Sequence, residues 1–272
     1  MKLFWTVFFL WMNCQLLAQD TTVSKKNIRL MKNAKKYLEK VALHPEQRML
    51  SIGWMPGIVM ELKYATSSNF TGQKLYPCIN TTYLRRDAVM ALWEVQKKLS
   101  ERGLAVKIFD AYRPYSVSVR IWNLVNDERY AANPSKGSNH NRGIAVDLTI
   151  IDSKTMKELD MGTGFDSFSD SAHHNFKALP DSVLEKRQLL RNMMEQAGFK
   201  ALETEWWHYA LPDAEKYDLL DLSFEQLKKK STQTNYLSHT LEIFCSSIIR
   251  SASTKAVTAS NTTGTLNAIQ RS

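Results

Sequence analysis

Apolar side chains recur at helical spacing in three segments of the chain. Residues 82–102, 116–124 and 181–197 each place apolar residues three or four positions apart, which predicts three amphipathic helices. In the first segment the apolar positions are Leu84, Ala88, Ala91, Val95 and Leu99. Glycine commonly ends a helix, and Gly103 and Gly198 follow the first and third segments.

Shorter apolar runs between these segments are typical of strands. Residues 51–65, 104–109, 199–203 and 206–210 have this character. Helices and strands follow one another without a regular βαβ rhythm, and no glycine-rich phosphate loop occurs in the sequence. We therefore predict an α+β fold, with a single small domain in which helices flank a central antiparallel sheet.

The N-terminal 18 residues have the pattern of a secretory signal peptide. Lys2 precedes an almost continuous apolar run that ends at Met12, and this predicts export, most simply to a periplasm. The run is too short for a comfortable membrane span, so no stable span is expected. Cys14 leaves a lipoprotein open as an alternative, and an uncleaved anchor is another.

The remaining chain divides into three parts by composition. Residues 19–45 are basic and modestly amphipathic, which favours a leader helix, with a loosely attached linker as the alternative. Residues 46–227 contain the helices and strands described above and form the predicted domain. Residues 228–272 are rich in serine and threonine and are predicted to be a mostly disordered tail.

Charge and cysteine content exclude two classes of protein. The net charge is +9, but the segment 228–272 carries six basic residues against one acidic residue, Glu242. The domain itself therefore lacks the dense basic surface that a nucleic-acid partner requires. Outside the signal peptide only Cys78 and Cys245 occur, too few and too far apart in sequence for a disulfide framework.

A carboxylate interrupts the apolar run 144–150. Asp147 is the charged residue there, and burying a carboxylate in a strand is costly unless it is paired or binds a metal. His140 lies seven residues earlier, and a bend at Gly143 would bring the two side chains together. Imidazole and carboxylate are common zinc ligands, so we predict one Zn²⁺ per chain at this point.

A third ligand and a base are expected in the segment ETEWWHYA. His208 would complete a three-ligand catalytic zinc site. Glu205, three residues earlier, could act as the general base, and Trp206 and Trp207 would raise its basicity by lowering the local dielectric. Each pattern is weak alone, because such spacings also arise by coincidence and paired tryptophans are ordinary core residues.

Arg113 follows a predicted strand end in the segment DAYRP. Catalytic groups are often presented at strand ends, and an arginine there could stabilise an oxyanion at a carbonyl carbon. The alternative is a structural arginine that pairs with a loop carboxylate.

Together, the segments SNHNRGIAVDLTI, EWWHY and DAYRP resemble the signature segments of the zinc D-alanyl-D-alanine dipeptidases of the VanX type. KYATSSNFTGQKLY, DERYAANPSKGS and LDMGTGFDSFSDSAHH are similar as well, so the resemblance extends from about residue 51 to 222. This family stands beside the zinc D,D-carboxypeptidases and the Hedgehog signalling domain in one superfamily, which implies a fold of that type.

The resemblance also implies roles for individual residues. The zinc ligands would be His140, Asp147 and His208. Glu205 would be the general base and later the proton donor, and Arg113 would stabilise the tetrahedral intermediate. The free amino group of the substrate would be bound by Asp166, with Tyr64 and Ser138 beside it. A turn cap is the alternative role for Asp166. His173 and His174 match a family segment that supplies no zinc ligand.

The implied activity is zinc-dependent hydrolysis of D-Ala-D-Ala, or a close D,D-dipeptide, in cell-wall peptide turnover. One alternative is a D,D-carboxypeptidase that acts on longer peptidoglycan stem peptides. Another is a zinc-stabilised binding module without catalysis. The expected partner is thus a small D,D-dipeptide, and the oligomeric state stays open.

Overall fold

The computed structural model describes residues 29–231. The expected signal peptide with Cys14, the first part of the leader, and the tail beyond residue 231 with Cys245 lie outside the described residues. The described residues form the helices α1 Ala34–Leu43, α2 Arg86–Ser100, α3 Tyr115–Val125, α4 Asn139–Arg142, α5 Asp181–Gln196 and α6 Phe224–Ser231. The strands are β1 Leu30–Met31, β2 Met49–Ser51, β3 Val59–Met60, β4 Tyr83–Arg85, β5 Leu104–Asp110, β6 Ala145–Asp152, β7 Lys200–Leu202, β8 Glu205–Ala210 and β9 Leu219–Leu220.

The main sheet has five strands in the order β3-β5-β6-β8-β7. Three of its pairings are antiparallel, but β3 pairs with β5 in parallel. The prediction of an antiparallel sheet is therefore corrected to a mixed sheet. The parallel pair is possible because β4 and α2 lie between β3 and β5 in sequence and form the long crossover that parallel neighbours need.

Strand β6 lies at the centre of this sheet and is buried along nearly its whole length. Helices α2 and α5 pack against each other, α2 also against β5 and α5 also against β7 and β8. A strand enclosed on both faces needs apolar residues at successive positions instead of alternating ones. This explains the apolar run 144–150 and makes its single carboxylate exceptional.

The structure corrects two predicted boundaries. The predicted helix 82–102 begins as strand β4, in which Leu84 pairs with Leu50 of β2, and α2 starts only at Arg86. These three residues adopt a strand because they pair with β2. The helical periodicity of the sequence continues through them and therefore did not indicate the boundary. The predicted strand 51–65 is mostly turns, with only the end of β2 and the two residues of β3 in strands. Helices α3 and α5 confirm their predictions to within a residue.

The described part of the leader packs against the domain. Helix α1 buries Tyr37 and Val41 in the common core, and β1 pairs in parallel with β9. Lys40 of α1 forms an ion pair with Asp218, the residue before β9. Within residues 29–231, no helix combines the length and apolar character needed to cross a membrane.

Candidate active site

The register of the sheet brings the candidate residues onto neighbouring strands. Asp147 of β6 lies opposite His208 of β8 on one side and opposite Asp110 of β5 on the other. Residues directly opposite in an antiparallel pair place their side chains on the same face. The strands thus assemble polar groups that are far apart in sequence.

Three predicted ligands converge at this point. The ligand atoms of His140, Asp147 and His208 all lie within 4.8 Å of one another. Nδ1 of His208 is 2.9 Å from Oδ1 of Asp147, and Nε2 of His140 is 3.3 Å from Oδ2 of the same carboxylate. Two imidazole nitrogens and one carboxylate form a donor set that suits a metal ion. We call these three residues the metal group.

The orientation of His140 is fixed by a hydrogen bond on the far side of its ring. Its Nδ1 lies 2.7 Å from the carbonyl oxygen of Ala111. Because a carbonyl can only accept, Nδ1 carries the hydrogen and Nε2 faces the metal group with a free lone pair. Metal-binding histidines typically have such a partner.

Helix α4 carries His140 and is held at its start by Ser138. The Ser138 hydroxyl accepts a hydrogen bond from the His140 N–H at 3.2 Å and forms a capping box with Asn141. Ser138 was predicted to contact substrate, and in the structure its hydroxyl caps the helix that carries His140. Its contact with substrate stays a prediction.

Asn141 is a contributor that sequence reasoning missed. It is fully buried, and its amide donates to the carbonyl of Arg113 at 2.8 Å and to the hydroxyl of Ser118 at 2.7 Å. The Arg113 N–H in turn donates to the carbonyl of His140 at 3.2 Å. These bonds tie α4 to the start of α3. Only its position beside His140 in sequence could have indicated this role.

Arg113 pairs with a buried carboxylate and also adjoins the metal group. Its Nε and Nη2 lie 3.0 and 2.8 Å from Oδ2 of Asp110, which is a structural ion pair. Its Nη2 also lies 3.8 Å from Oδ2 of Asp147, so the guanidinium adjoins the metal group. The guanidinium carbon stands 5.0 Å from the ring centre of Tyr64.

Asp110 was also missed by sequence reasoning. It is fully buried at the end of β5, and its second carboxylate oxygen accepts a hydrogen bond from the Tyr76 hydroxyl at 2.9 Å. The available signal was an acidic residue at a predicted strand end, three positions before Arg113. Tyr76 had no comparable signal, because its partner lies 34 residues away.

Glu205 begins strand β8, three residues before His208. Burial raises the pKa of Glu205 to about 7, and the nearby charge of Asp147 acts in the same direction, while His208 and Arg113 oppose it. A carboxylate with a pKa near neutrality can both accept and donate a proton. Trp206 and Trp207 are almost fully buried in the core beside it.

Asp166 and Tyr64 meet at one side of the site. The Tyr64 hydroxyl lies 3.1 and 3.0 Å from the two oxygens of the Asp166 carboxylate. Asp166 has a positive φ of 60°, a conformation that aspartate tolerates better than most residues. Burial, and the charge of Asp147, raise the pKa of Asp166 well above its usual value, although Arg113 opposes this.

The site has an excess of negative charge. The charge of Asp147 raises the pKa of three neighbouring carboxylates, and Arg113 partly offsets this. These three carboxylates belong to Asp110, Asp166 and Glu205. Although burial alone would raise the pKa of Asp147, the two histidines hold it below its usual value. The metal group and its surroundings therefore fit a divalent cation.

His173 and His174 lie elsewhere. The His174 N–H donates to the carbonyl of Glu203, and its ring contacts Tyr209 at a centroid distance of 6.0 Å. The His173 carbonyl accepts a hydrogen bond from Arg187 of α5. Within the described residues, the metal group is the cluster of side chains that could hold a metal ion, and neither of these histidines belongs to it.

Comparisons with known proteins agree with this geometry. A family profile described as D-ala-D-ala dipeptidase matches residues 47–229. The chain is 36% identical over 178 residues to the D-alanyl-D-alanine dipeptidase of Escherichia coli (strain K12), which covers 65% of this chain and 91% of that protein. It is 30% identical over 177 residues to the protein of that name from Enterococcus faecalis (strain ATCC 700802 / V583), with 58% and 87% covered. A Streptomyces coelicolor (strain ATCC BAA-471 / A3(2) / M145) protein of the same name is 30% identical over 176 residues, again with 58% and 87% covered. The chain therefore belongs to the D-Ala-D-Ala dipeptidase family.

Proposed function

We propose that the chain hydrolyses D-Ala-D-Ala, or a close D,D-dipeptide, with one Zn²⁺ held by His140, Asp147 and His208. The observation that carries this proposal is the convergence of these three ligand atoms beside Glu205 and Arg113. Zinc in such a site supplies Lewis-acid polarisation of a carbonyl and makes water more acidic. Proton transfer, stabilisation of the oxyanion and binding of the substrate amino group are carried out by side chains of the protein.

Glu205 handles the protons in this proposal. With a pKa near 7 it can take a proton from the attacking water and then deliver it to the leaving amine. Arg113 directs its guanidinium towards the metal group, where negative charge develops on the carbonyl oxygen. Asp110 holds that guanidinium in place through two contacts to one carboxylate oxygen.

Asp166 favours a free dipeptide over a longer peptide. A buried carboxylate whose pKa is raised gains from a positively charged partner, and the ammonium group of a dipeptide is one. The ring of Tyr64 packs against Phe70 and Phe165 at 6.3 and 5.9 Å, so an aromatic wall backs the Asp166 carboxylate. An acylated amino group would remove the charge and add bulk at this wall.

The role of Glu205 is tested with Glu205→Ala. We expect turnover to fall by at least about 100-fold while zinc stays bound, because Glu205 is not a ligand. Amino-acid release and metal content are measured on the same preparations. Glu203→Ala is the matched control, since Glu203 is an exposed glutamate two residues away that pairs with Arg191. A chelator should abolish wild-type activity and added zinc should restore it; full hydrolysis by Glu205→Ala would contradict the assignment.

The choice between dipeptidase and carboxypeptidase is tested with Asp166→Asn and two substrates. We expect wild-type protein to cleave D-Ala-D-Ala in preference to its N-acetylated form. Asp166→Asn should raise KM for the free dipeptide by about 10-fold or more, because a buried charge pair is lost. Preferred cleavage of the N-acetylated form by the wild-type chain would favour the D,D-carboxypeptidase.

A zinc-stabilised binding module is the remaining alternative, and the likeness to the Hedgehog signalling domain that suggests it stays a prediction. Such a module has no use for a glutamate with a pKa near neutrality beside an arginine at the metal group. It would bind D,D-peptides without releasing amino acids, which the release assay detects directly.

We also propose that the chain acts outside the cytoplasm, in salvage of cell-wall D-Ala-D-Ala. The signal-peptide pattern of residues 1–18 supports this. Destroying a cytoplasmic precursor pool, as antibiotic resistance would require, is incompatible with export. Fractionation of cells that express the full chain tests the location, and recovery only in the cytoplasm would overturn it.

A further inference from the structure

The C-terminal end of α4, the helix that carries His140, is held by Arg85. This arginine ends strand β4 and is only 1% exposed. Its backbone N–H donates to the carbonyl of Gly143 at 2.7 Å, and its Nε donates to the carbonyl of Arg142, also at 2.7 Å. These carbonyls belong to the last residue of α4 and the residue that follows it. Arg85 therefore fixes the end of the helix opposite to the Ser138 cap.

The same guanidinium reaches two other segments. Nη1 donates to the carbonyl of Gln47, and Nη2 donates to the carbonyl of Asp218 at 3.1 Å. The guanidinium carbon also stands 5.6 Å from the ring centre of Tyr217. One planar group with several donors can bridge three backbone segments, which a lysine ammonium on a flexible stem cannot do equally well.

Residues 30–43 of the leader contact the segments that carry Gln47 and Asp218. Lys40 of α1 pairs with the Asp218 carboxylate, and Leu30 of β1 pairs with Leu219 of β9. The Tyr37 hydroxyl accepts a hydrogen bond from the Met49 N–H at 2.6 Å, close to Gln47 in sequence. Residues 30–43 precede the family match, which begins at residue 47, yet they brace both segments that Arg85 binds.

We propose that Arg85 is a positioning residue for the metal ligand His140, and that residues 30–43 complete its anchorage through Lys40 and Asp218. The proposal rests on the proposed function, because it takes His140 to be a ligand. Without these bonds the end of α4 is free to shift, and Nε2 of His140 loses its position relative to Asp147. Partners of metal ligands commonly change metal affinity by 10- to 100-fold when they are lost.

The proposal is tested on the full-length protein with Arg85→Met, Arg85→Lys and Lys40→Met. Zinc dissociation constants are measured by chelator competition on metal-free protein. We expect the zinc dissociation constant to increase by about 10- to 100-fold for Arg85→Met. For Arg85→Lys we expect an increase of about 10-fold, because lysine keeps the charge but lacks the planar guanidinium with its several donors. For Lys40→Met the expected increase is about threefold. Lys36→Met, an exposed lysine of the same helix, is the control and should match the wild type.

A second measurement needs neither metal nor substrate. The backbone amides of Asn141, Gly143 and Ile144 donate within or next to α4, and their hydrogen exchange in metal-free protein should be faster in the Arg85 and Lys40 variants. If these variants lowered only the melting temperature, with zinc affinity and exchange unchanged, the positioning role would be overturned. If Arg85→Met fails to fold, Arg85→Lys and Lys40→Met decide by the same criteria. A wild-type chain that binds no zinc or releases no amino acid would instead overturn the proposed function, and the exchange result would still stand.

Discussion

At the scale of single residues, the site is defined by a buried charge arrangement around one arginine. Asp110 and Asp147 lie opposite each other on neighbouring strands, where two like charges repel. Arg113 lies 2.8 Å from one carboxylate and 3.8 Å from the other, so it offsets this repulsion. Its structural pairing and its proposed role at the oxyanion therefore depend on each other.

Asp110→Asn tests this dependence. The change keeps the shape but leaves the buried Arg113 without its closest counter-charge, and removing one partner of a buried pair costs about 3 kcal/mol. We expect the free energy of unfolding to fall by about that amount and kcat for D-Ala-D-Ala to fall by about 10-fold or more, because the guanidinium loses its orientation. Chemical denaturation and steady-state kinetics measure the two effects.

The matched control for this change is Asp127→Asn. Asp127 also pairs with an arginine, Arg129, but that pair is exposed to solvent. Exposed ion pairs contribute little, so we expect stability and kcat close to those of the wild type. If both substitutions changed the free energy of unfolding and kcat equally, burial of the Asp110–Arg113 pair would not be the cause of the effect.

At the scale of elements, α4 is the part on which the metal group depends most. A helix of four residues has almost no stability of its own, so its position is set by its anchors. Ser138 caps its start, Asn141 ties it to α3, and Gly143 ends it in the left-handed conformation with φ of +73°. The bend at Gly143 that the sequence predicted is thus a helix end.

Gly143→Ala should weaken this anchorage. A Cβ at this position would lie 2.5 Å from Cε and Sδ at the flexible end of the buried Met49 side chain, which would have to repack, in addition to the strain of a positive φ. We expect a loss of about 2 kcal/mol in the free energy of unfolding and a lower kcat, since displacement of α4 moves His140. Denaturation and kinetic measurements on the same protein report both effects.

Gly103→Ala is the control, because Gly103 has a similar φ of +69° and no atom within 4 Å of the added Cβ. Its expected cost is backbone strain alone, about 1 kcal/mol, with kcat unchanged. If Gly103→Ala reduced kcat as much as Gly143→Ala, the link between α4 and the site would be wrong.

At the scale of the whole molecule, stability should depend on pH through a partly buried histidine outside the site. Burial lowers the pKa of His174 from 6.5 to about 4, and Arg191 acts in the same direction. The unfolded chain therefore takes up a proton between pH 6.5 and 4 while the folded chain does not. The free energy of unfolding must decrease as pH falls through this range.

This pH dependence can be measured with His174→Gln, which cannot take up a proton. We expect the wild type to lose about 1 kcal/mol of stability between pH 7 and pH 5 from this group, after allowance for solvent screening. The loss should be absent from the variant, whose stability changes with pH only through the remaining groups. Urea unfolding at both pH values gives the comparison, and identical slopes for the two proteins would contradict the assignment.

Local patterns in the sequence were sufficient to predict several helices and the candidate metal ligands of this protein. Helical periodicity located α3 and α5 to within a residue, since each helix buries apolar residues along one face. The motifs around His140, Asp147 and His208 predicted a set of candidate ligands whose ligand atoms the fold brings within 4.8 Å of one another. These residues could be predicted because burying a carboxylate in an apolar strand costs free energy unless the carboxylate is paired or binds a metal.

Other features were decided only by tertiary structure, because they depend on which distant segments meet. The parallel pairing of β3 with β5, the strand conformation of Tyr83–Arg85 and the bond between Tyr76 and Asp110 each join residues far apart in sequence. The capping of α4 by the Ser138 hydroxyl was likewise visible only in the structure, while the predicted contact of Ser138 with substrate stays a prediction. The sequence alone thus determined the candidate metal ligands and the candidate base. Only the three-dimensional packing determined how these side chains are held, since the free energy of a contact depends on its surroundings and not on the spacing of residues in the sequence.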